Sequence, residues 1–300
     1  MHPAFSVIAF TTLSGAGYGL LFLLGLAYAR APVPLSREFA LVLLGLAVVL
    51  VVLGLCASVL HLGQPQRAWR ALSQWLTSWL SLEGVVAIAS LVPTAWLALR
   101  VGNGEVDILL RAVALGVALL AALTVYCTAR IYTSLRAVPA WTDRAVLPLY
   151  LLIGLWTGAL LGWALLSLTG IGLARGQGVA MIATALVLGA LKLGYWRRLA
   201  ALGRVRALEA PHTEANYLTR EMGFVLARRH ATRLHRIALV LLAVVPAACV
   251  AWALWRGASM VAPMLAATAA LLGAFVERWL FFAEARHVVM AYYGAGGAAR

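Results

Sequence analysis

The stretch LVLLGLAVVLVVLGL, residues 41 to 55, contains no polar side chain and is apolar on every face. A soluble helix keeps a polar stripe, and a membrane-barrel strand alternates apolar with polar residues, so this run fits neither. It fits a helix in lipid, because roughly 20 helical residues cross a hydrocarbon core about 30 Å thick and satisfy their own backbone hydrogen bonds. The run therefore predicts a transmembrane helix.

Comparable runs recur along the whole chain, which has 300 residues, 64% of them hydrophobic and 11% charged. The sequence predicts an all-α, polytopic membrane protein with a single domain, residues 1–300, built as a bundle of eight transmembrane helices. The predicted helices cover about residues 5–28, 39–60, 83–99, 112–129, 146–169, 178–195, 237–255 and 262–283. The first ends in LAYARAP, an A-x-A pattern that signal peptidase accepts, but no Lys or Arg precedes it and it is long for a signal segment, so we keep it as a helix.

Arginine is unevenly divided between the two sides of the predicted bundle. One side holds sixteen: Arg67, Arg70, Arg130, Arg136, Arg144, Arg197, Arg198, Arg204, Arg206, Arg220, Arg228, Arg229, Arg233, Arg236, Arg286 and Arg300. The other side holds six: Arg30, Arg37, Arg100, Arg111, Arg175 and Arg256. Positive loops stay in the cytoplasm, so both termini and the loop 196–236 are predicted to be cytoplasmic.

The arginines of the loop 196–236 allow two interpretations. They hold the loop inside and contact anionic lipid headgroups, or, with the mixed segment NYLTREMGFVLARRH, they form a docking surface for a soluble partner. Nucleic acid is not expected as a partner, because the charge is spread over the loops of a membrane bundle instead of one basic domain.

Polar chemistry gathers in SVLHLGQPQRAWRALSQWLTSWLSLEG, residues 58 to 84. His61 closes the second predicted helix and Glu83 opens the third, and the loop between them can fold back to bring both to one interfacial pocket. An imidazole can exchange a proton with a quinone oxygen near neutral pH, and a poorly solvated carboxyl suits proton transfer. Helix capping by both residues is the alternative.

Two further charged residues, Glu277 and Arg278, lie in the last apolar run. As neighbours they cannot share a helix face, so each needs a partner from another helix, and Arg130 or Tyr132 could help. A structural ion pair is favoured over direct contact with a substrate.

Glycine, tryptophan and cysteine give weaker signals. Gly15 with Gly19, and Gly158 with Gly162, have the spacing of close helix packing. Most of the eleven tryptophans lie near helix ends, as interfacial anchors do; they include Trp69, Trp75, Trp79, Trp141, Trp196 and Trp255.

The three cysteines show no C-x-x-C spacing, and the histidines are not placed as opposed haem ligands. We therefore expect no haem, iron–sulfur cluster, zinc or other metal in this chain.

The segment SVLHLGQPQRAW, followed by WLSLEG, resembles the signature of the membrane-anchor subunit family of dimethyl sulfoxide reductase (DmsC-like anchors). In that signature a helix ends in LHLG-x-P-x-RA and a glutamate follows the histidine after 22 residues, as Glu83 follows His61 here. The segments ARIYTSLRAVPAW, residues 129 to 141, and ERWLFF, residues 277 to 282, fit as well. The resemblance extends over the whole chain in helix count and order.

The resemblance implies a multi-pass protein of the bacterial inner membrane with no redox centre of its own. Its implied partners are a catalytic molybdopterin subunit with bis-molybdopterin guanine dinucleotide (bis-MGD), a ferredoxin-like iron–sulfur subunit with [4Fe-4S] clusters, and membrane lipids. Its implied ligand is a quinone, either ubiquinone or menaquinone, with His61 and Glu83 in binding and proton transfer and Arg67 as a looser assignment. Further candidates for the quinone pocket or for docking are Trp69, Arg70, Arg130, Tyr132, Trp141, Glu277 and Arg278.

Orientation separates two branches of that family. The docking side of the reductase is periplasmic, whereas the arginine balance places His61 and Glu83 of this chain on the cytoplasmic side. The chain, including its opening MHPAFSVIAFTTLSGAGYGLLF, is therefore more similar to anchors of cytoplasmic sulfite-oxidising complexes. Two alternatives remain: an S-oxide or N-oxide reductase anchor that oxidises quinol, and a transporter, for which internal repeats and midplane charges would be expected.

Overall fold

The computed structural model describes residues 5–30, 36–60, 64–105, 107–206, 226–227, 229–257 and 259–285. Eight of its helices are long and apolar enough to span a membrane, which confirms the predicted class. We label them α1 Phe5–Arg30, α2 Arg37–Val59, α3 Trp79–Asn103, α4 Ile108–Thr133, α5 Val146–Ser167, α6 Arg175–Arg206, α7 Ala231–Arg256 and α8 Val261–Ala283. A 3₁₀ helix, η1, covers Pro65–Leu72 between α2 and α3.

Several helices are longer than their apolar windows. The third window, 83–99, lies inside Trp79–Asn103, and the sixth, 178–195, lies inside Arg175–Arg206. The loop 196–236 accordingly starts as helix, and its last residues, from Ala231, belong to α7. Apolar windows report the hydrocarbon core, whereas a helix continues until its backbone is capped, as Ser78 caps α3 and Asp107 caps α4.

Successive helices run in opposite directions, and α1 lies at the centre of the bundle. Gly54, near the end of α2, faces Ser14 near the start of α1, and Gly25, near the end of α1, faces Ala114 near the start of α4, so both neighbours are antiparallel to α1. The starts of α1, α3, α5 and α7 therefore meet the ends of α2, α4, α6 and α8 at one end of the bundle. We call this the arginine-rich end, since most arginines in the described part of the chain lie there.

The contact of α1 with α5 is made through glycines. A Cβ atom on Gly19 would lie 1.9 Å from the carbonyl oxygen of Gly154, and one on Gly158 would lie 2.3 Å from the backbone nitrogen of Leu20. The close packing expected of Gly15, Gly19 and Gly158 is confirmed. The sequence pattern missed Gly154, and Gly162 meets only a side chain of α1, that of Leu20.

A π-helical turn, Val240–Val244, interrupts α7 just before Pro246. Proline has no N–H, so the carbonyl of Leu242, four residues earlier, lacks its usual helical donor. The indole N–H of Trp156 on α5 donates to that carbonyl at 2.7 Å. Gly273 lets α8 approach this turn closely, because a Cβ atom there would lie 2.5 Å from the Leu242 nitrogen.

Candidate functional site

Glu83 lies inside α3, one turn beyond its first residue, Trp79. Its side chain is 5% exposed, and Oε1 accepts a hydrogen bond from the Thr128 hydroxyl of α4. The expectation that Glu83 opens and caps the helix is wrong, because the helix starts at Trp79 and Ser78 provides the cap. The capping alternative for His61 lies outside the described residues. Glu83 is a buried carboxyl held between two helices.

The Thr128 hydroxyl also lies 3.0 Å from the carbonyl oxygen of Thr124. A hydroxyl can donate once and accept twice. With Glu83 ionised, Thr128 donates to the carboxylate; with Glu83 protonated, Glu83 donates to Thr128, which then donates to Thr124. The same geometry serves both protonation states, as a proton-transfer group requires.

The loop between α2 and α3 folds back over the start of α3. A Cβ atom on Gly84, the residue after Glu83, would lie 2.7 Å from the Leu72 side chain of η1. This places η1 against α3 at the residue next to Glu83. His61 lies outside the described residues, so its place at the site stays a prediction.

The three basic and aromatic candidates of η1 are surface residues. Arg67 and Arg70 are exposed, and Trp69 is 65% exposed, with the Arg70 guanidinium 5.4 Å from its ring centroid. They lie on the surface at the arginine-rich end, whereas Glu83 is buried. The Arg130 guanidinium lies 5.0 Å from the ring centroid of Trp79, one helical turn before Glu83.

Tyr132 and Trp141 belong to a buried aromatic cluster, not to an interfacial belt. Tyr132 contacts the rings of Trp141, Tyr150, Phe281 and Phe282 with centroid distances of 5.4 to 5.6 Å. The Trp141 indole donates to the Phe281 carbonyl at 3.1 Å. Trp141 and Trp196, both buried, therefore depart from the expected role of tryptophans as anchors.

Glu277 and Arg278 find partners on different helices, as their adjacency requires. Glu277 pairs with Lys192 of α6 at 2.6 Å, and the Arg278 guanidinium lies 3.6 Å from the Tyr150 ring centroid of α5. Arg278 Nη1 also approaches Glu277 Oε2 at 3.4 Å. Arg130 takes no part; Tyr132 contributes indirectly, by stacking on Tyr150.

Sequence reasoning missed Thr128, Tyr150 and Lys192. One signal was available for Lys192, since it is the only lysine in the chain and lies in an apolar run. Among the described residues, the buried charged side chains are Glu83, Lys192, Glu277 and Arg278. All four lie in the half of the bundle next to the arginine-rich end, so the buried charges of the described residues are concentrated towards that end.

Two polar contacts connect neighbouring elements at the arginine-rich end. Asp143, in the loop before α5, accepts hydrogen bonds from Arg198 of α6 at 2.7 and 2.9 Å. Burial alone would raise the pKa of Asp143, but the bonds from Arg198 and from the Ala145 N–H hold that pKa below its usual value. His235 of α7 stacks on Trp196 and lies 2.7 Å from Glu284, just after α8.

The fold and the site define a class: a multi-pass helical membrane protein with a buried carboxyl near an exposed loop at one end of the bundle. Residues 1–283 match the family model of the DMSO reductase anchor subunit (DmsC), and the chain belongs to that family. It is also 34% identical to the C subunit of sulfite dehydrogenase from Allochromatium vinosum, over 98% of this chain and 99% of that protein.

Proposed function

We propose that this chain is the quinone-reactive membrane anchor of a molybdenum iron–sulfur complex that oxidises sulfite and passes the electrons to quinone. The observation that carries the proposal is the buried carboxyl of Glu83, bonded to Thr128 and lying beside η1 at the arginine-rich end. An ionisable group at membrane depth is costly and marks function more often than structure.

The relative's name and the charge balance favour sulfite as the electron source. The matched protein is named as part of a sulfite dehydrogenase. The sixteen arginines that the sequence predicts on the side of Glu83 favour a cytoplasmic orientation of that side. The partners would be a molybdopterin subunit with bis-MGD and a ferredoxin-like subunit with [4Fe-4S] clusters. The exposed surface of Arg67, Trp69 and Arg70 would receive the ferredoxin-like subunit.

Quinone reduction takes up two electrons and two protons, so the anchor must supply protons where the electrons arrive. In this proposal Glu83 donates a proton to a quinone oxygen, and Thr128 stabilises the resulting carboxylate by turning its hydroxyl towards Oε1. By resemblance to the family, His61 hydrogen-bonds the quinone, and Arg67 orients it or its loop. Protons taken up from the cytoplasm and sulfite oxidised there would leave little proton gradient from the reaction itself.

The test uses inverted membrane vesicles that contain the whole complex, with sulfite and added quinone. The wild type should reduce quinone promptly without permeabilisation. Glu83→Gln should slow this reaction by roughly 100-fold, the size of a general-acid contribution, and leave sulfite-dependent reduction of an artificial dye unchanged. Glu105→Gln is the control, because this half-exposed glutamate pairs with Arg100 at the opposite end of the bundle.

A second candidate follows from the family description, a DMSO reductase anchor. In that case electrons would run from quinol to an S-oxide. Quinol oxidation on addition of dimethyl sulfoxide, without any sulfite activity, would select the reductase and reject the sulfite assignment.

A further inference from the structure

A small polar cavity lies between α1, α4, α5 and α8. Its polar lining comes from Thr11, Thr12, Ser14, Thr128, Tyr150, Thr157 and Arg278. It has room for about one water-sized molecule. Thr128 belongs both to this lining and to the hydrogen bond with Glu83, so the cavity and the carboxyl share one hydroxyl.

Three groups of the lining lack a hydrogen-bond partner in the part of the chain that the structure describes. They are the Thr12 hydroxyl, the Tyr150 hydroxyl and the Arg278 Nε–H. Their side chains are buried, with 7%, 3% and 2% exposure. An unmet buried polar group costs roughly 1 to 3 kcal/mol, and buried water with two to four polar partners is the usual remedy.

We propose that the cavity binds water between Thr12, Tyr150 and Arg278, and that this water exchanges protons with Glu83 through the Thr128 hydroxyl. The inference rests on the proposed function, because it adds the internal proton route that a quinone-reducing Glu83 needs. It also gives Arg278 a positioning role, since a guanidinium donates hydrogen bonds and keeps its proton.

The proton balance is simple. After Glu83 gives its proton to quinone, the Thr128 hydroxyl passes its proton to the carboxylate and takes one from the cavity water. The water regains a proton from solvent at the arginine-rich end. Arg278 stays charged throughout and offsets the negative charge while Glu83 is ionised.

The surroundings of Arg278 support this role better than a purely structural one. Glu277 is engaged with Lys192 at 2.6 Å through Oε1, and its Oε2 lies 3.4 Å from Arg278 Nη1. The Arg278 guanidinium is otherwise held against the Tyr150 ring, with Nε facing no protein acceptor in the described part of the chain. Its charge is therefore only partly met by Glu277 and is available to the cavity.

Two near-isosteric changes test the proposal in the assembled complex: Thr12→Val and Tyr150→Phe. Each removes one hydroxyl, and the second keeps the ring under Arg278. Both should lower sulfite-dependent quinone reduction about five-fold, the effect of one hydrogen bond lost from the transfer route. Both should raise the solvent deuterium isotope effect on quinone reduction. Both should leave sulfite-dependent dye reduction and assembly of the complex unchanged. Thr94→Val is the control, because its buried hydroxyl bonds Ser90 and does not line the cavity.

Thermal unfolding gives a second readout that does not depend on turnover. If the cavity holds no water, replacing the partnerless hydroxyl of Thr12 by a methyl group raises the melting temperature; if it holds bound water, the melting temperature falls. A raised melting temperature with wild-type turnover in both variants, while Glu83→Gln is slow, would overturn the relay and leave the quinone function standing. A Glu83→Gln variant with full quinone activity would overturn both.

Discussion

The ammonium group of Lys192 lies 2.6 Å from the carboxylate of Glu277, and both side chains are 2% exposed. This pair joins α6 to α8, whereas many other contacts within the bundle are apolar. Lys192 also lies 4.6 Å from the ring centroids of Tyr195 and Trp196, so its charge is enclosed by one anion and two aromatic faces. Removing Lys192 would leave Glu277 with only the longer 3.4 Å contact to Arg278, and removing Glu277 would leave two buried cations without an anion.

We expect Lys192→Met to destabilise the protein by about 3 to 5 kcal/mol, the cost of breaking one side of a buried pair. Lys192→Met combined with Glu277→Leu should cost less than the sum of the two single losses, because each single substitution already breaks the Lys192–Glu277 pair. Reversible unfolding in mixed micelles measures both values. Additive losses in the double variant would contradict the pairing.

The contribution to stability of the hydrogen bond from Trp156 to the Leu242 carbonyl can be measured apart from that of indole packing. Trp156→Phe removes the indole donor from that carbonyl and should cost about 1 to 3 kcal/mol beyond the lost volume. Pro246→Ala restores the helical N–H and should recover part of that loss when combined with Trp156→Phe. Trp163→Phe is the control on the same helix, since its indole makes no hydrogen bond in the described part of the chain.

A double-mutant cycle on unfolding free energies isolates the coupling between Trp156 and Pro246. If Pro246→Ala destabilises the protein equally with Trp156 and with Phe at that position, the carbonyl of Leu242 does not depend on the indole.

The glycine contact between α1 and α5 predicts a sharp contrast between two alanine substitutions. Gly19→Ala would place a methyl group within 1.9 Å of the Gly154 carbonyl oxygen, so the helices must separate and assembly in the membrane should fall severely. Gly45→Ala meets nothing within 4 Å and should be neutral or stabilising by up to about 1 kcal/mol. Folded yield on size-exclusion chromatography distinguishes them, and equal yields would refute the close contact.

The Asp143–Arg198 interaction should make stability depend on pH in the acid range. The pKa of Asp143 is lowered in the folded state, so its contribution is complete above the ordinary aspartate pKa of roughly 3.9 and is lost as pH falls through the lower folded value. Asp143→Asn should remove that part of the pH dependence and cost on the order of 1 kcal/mol at neutral pH. Melting curves from pH 3 to 7 test this, and an unchanged acid slope would count against it.

The fold was readable from sequence because membrane insertion depends on the summed hydrophobicity of each segment, which is a property of the segment alone. The eight spans followed from that, as did the concentration of arginine at one end. The Gly15 and Gly19 contacts with α5 were also accessible, since spacing on one helix indicates a face even when its partner is unknown.

The partners themselves required the tertiary structure. Nothing in the order of residues brings Thr128 to Glu83 or Lys192 to Glu277, which are separated by 45 and 85 residues. These contacts depend on the order and rotation of helices around α1, which lipid solvation does not specify because lipid accepts any apolar face. The sequence by itself determined which segments are apolar enough to cross the membrane and which end of the bundle is rich in arginine. The tertiary structure decided which buried charges meet, since only close packing sets the distances on which their interactions depend.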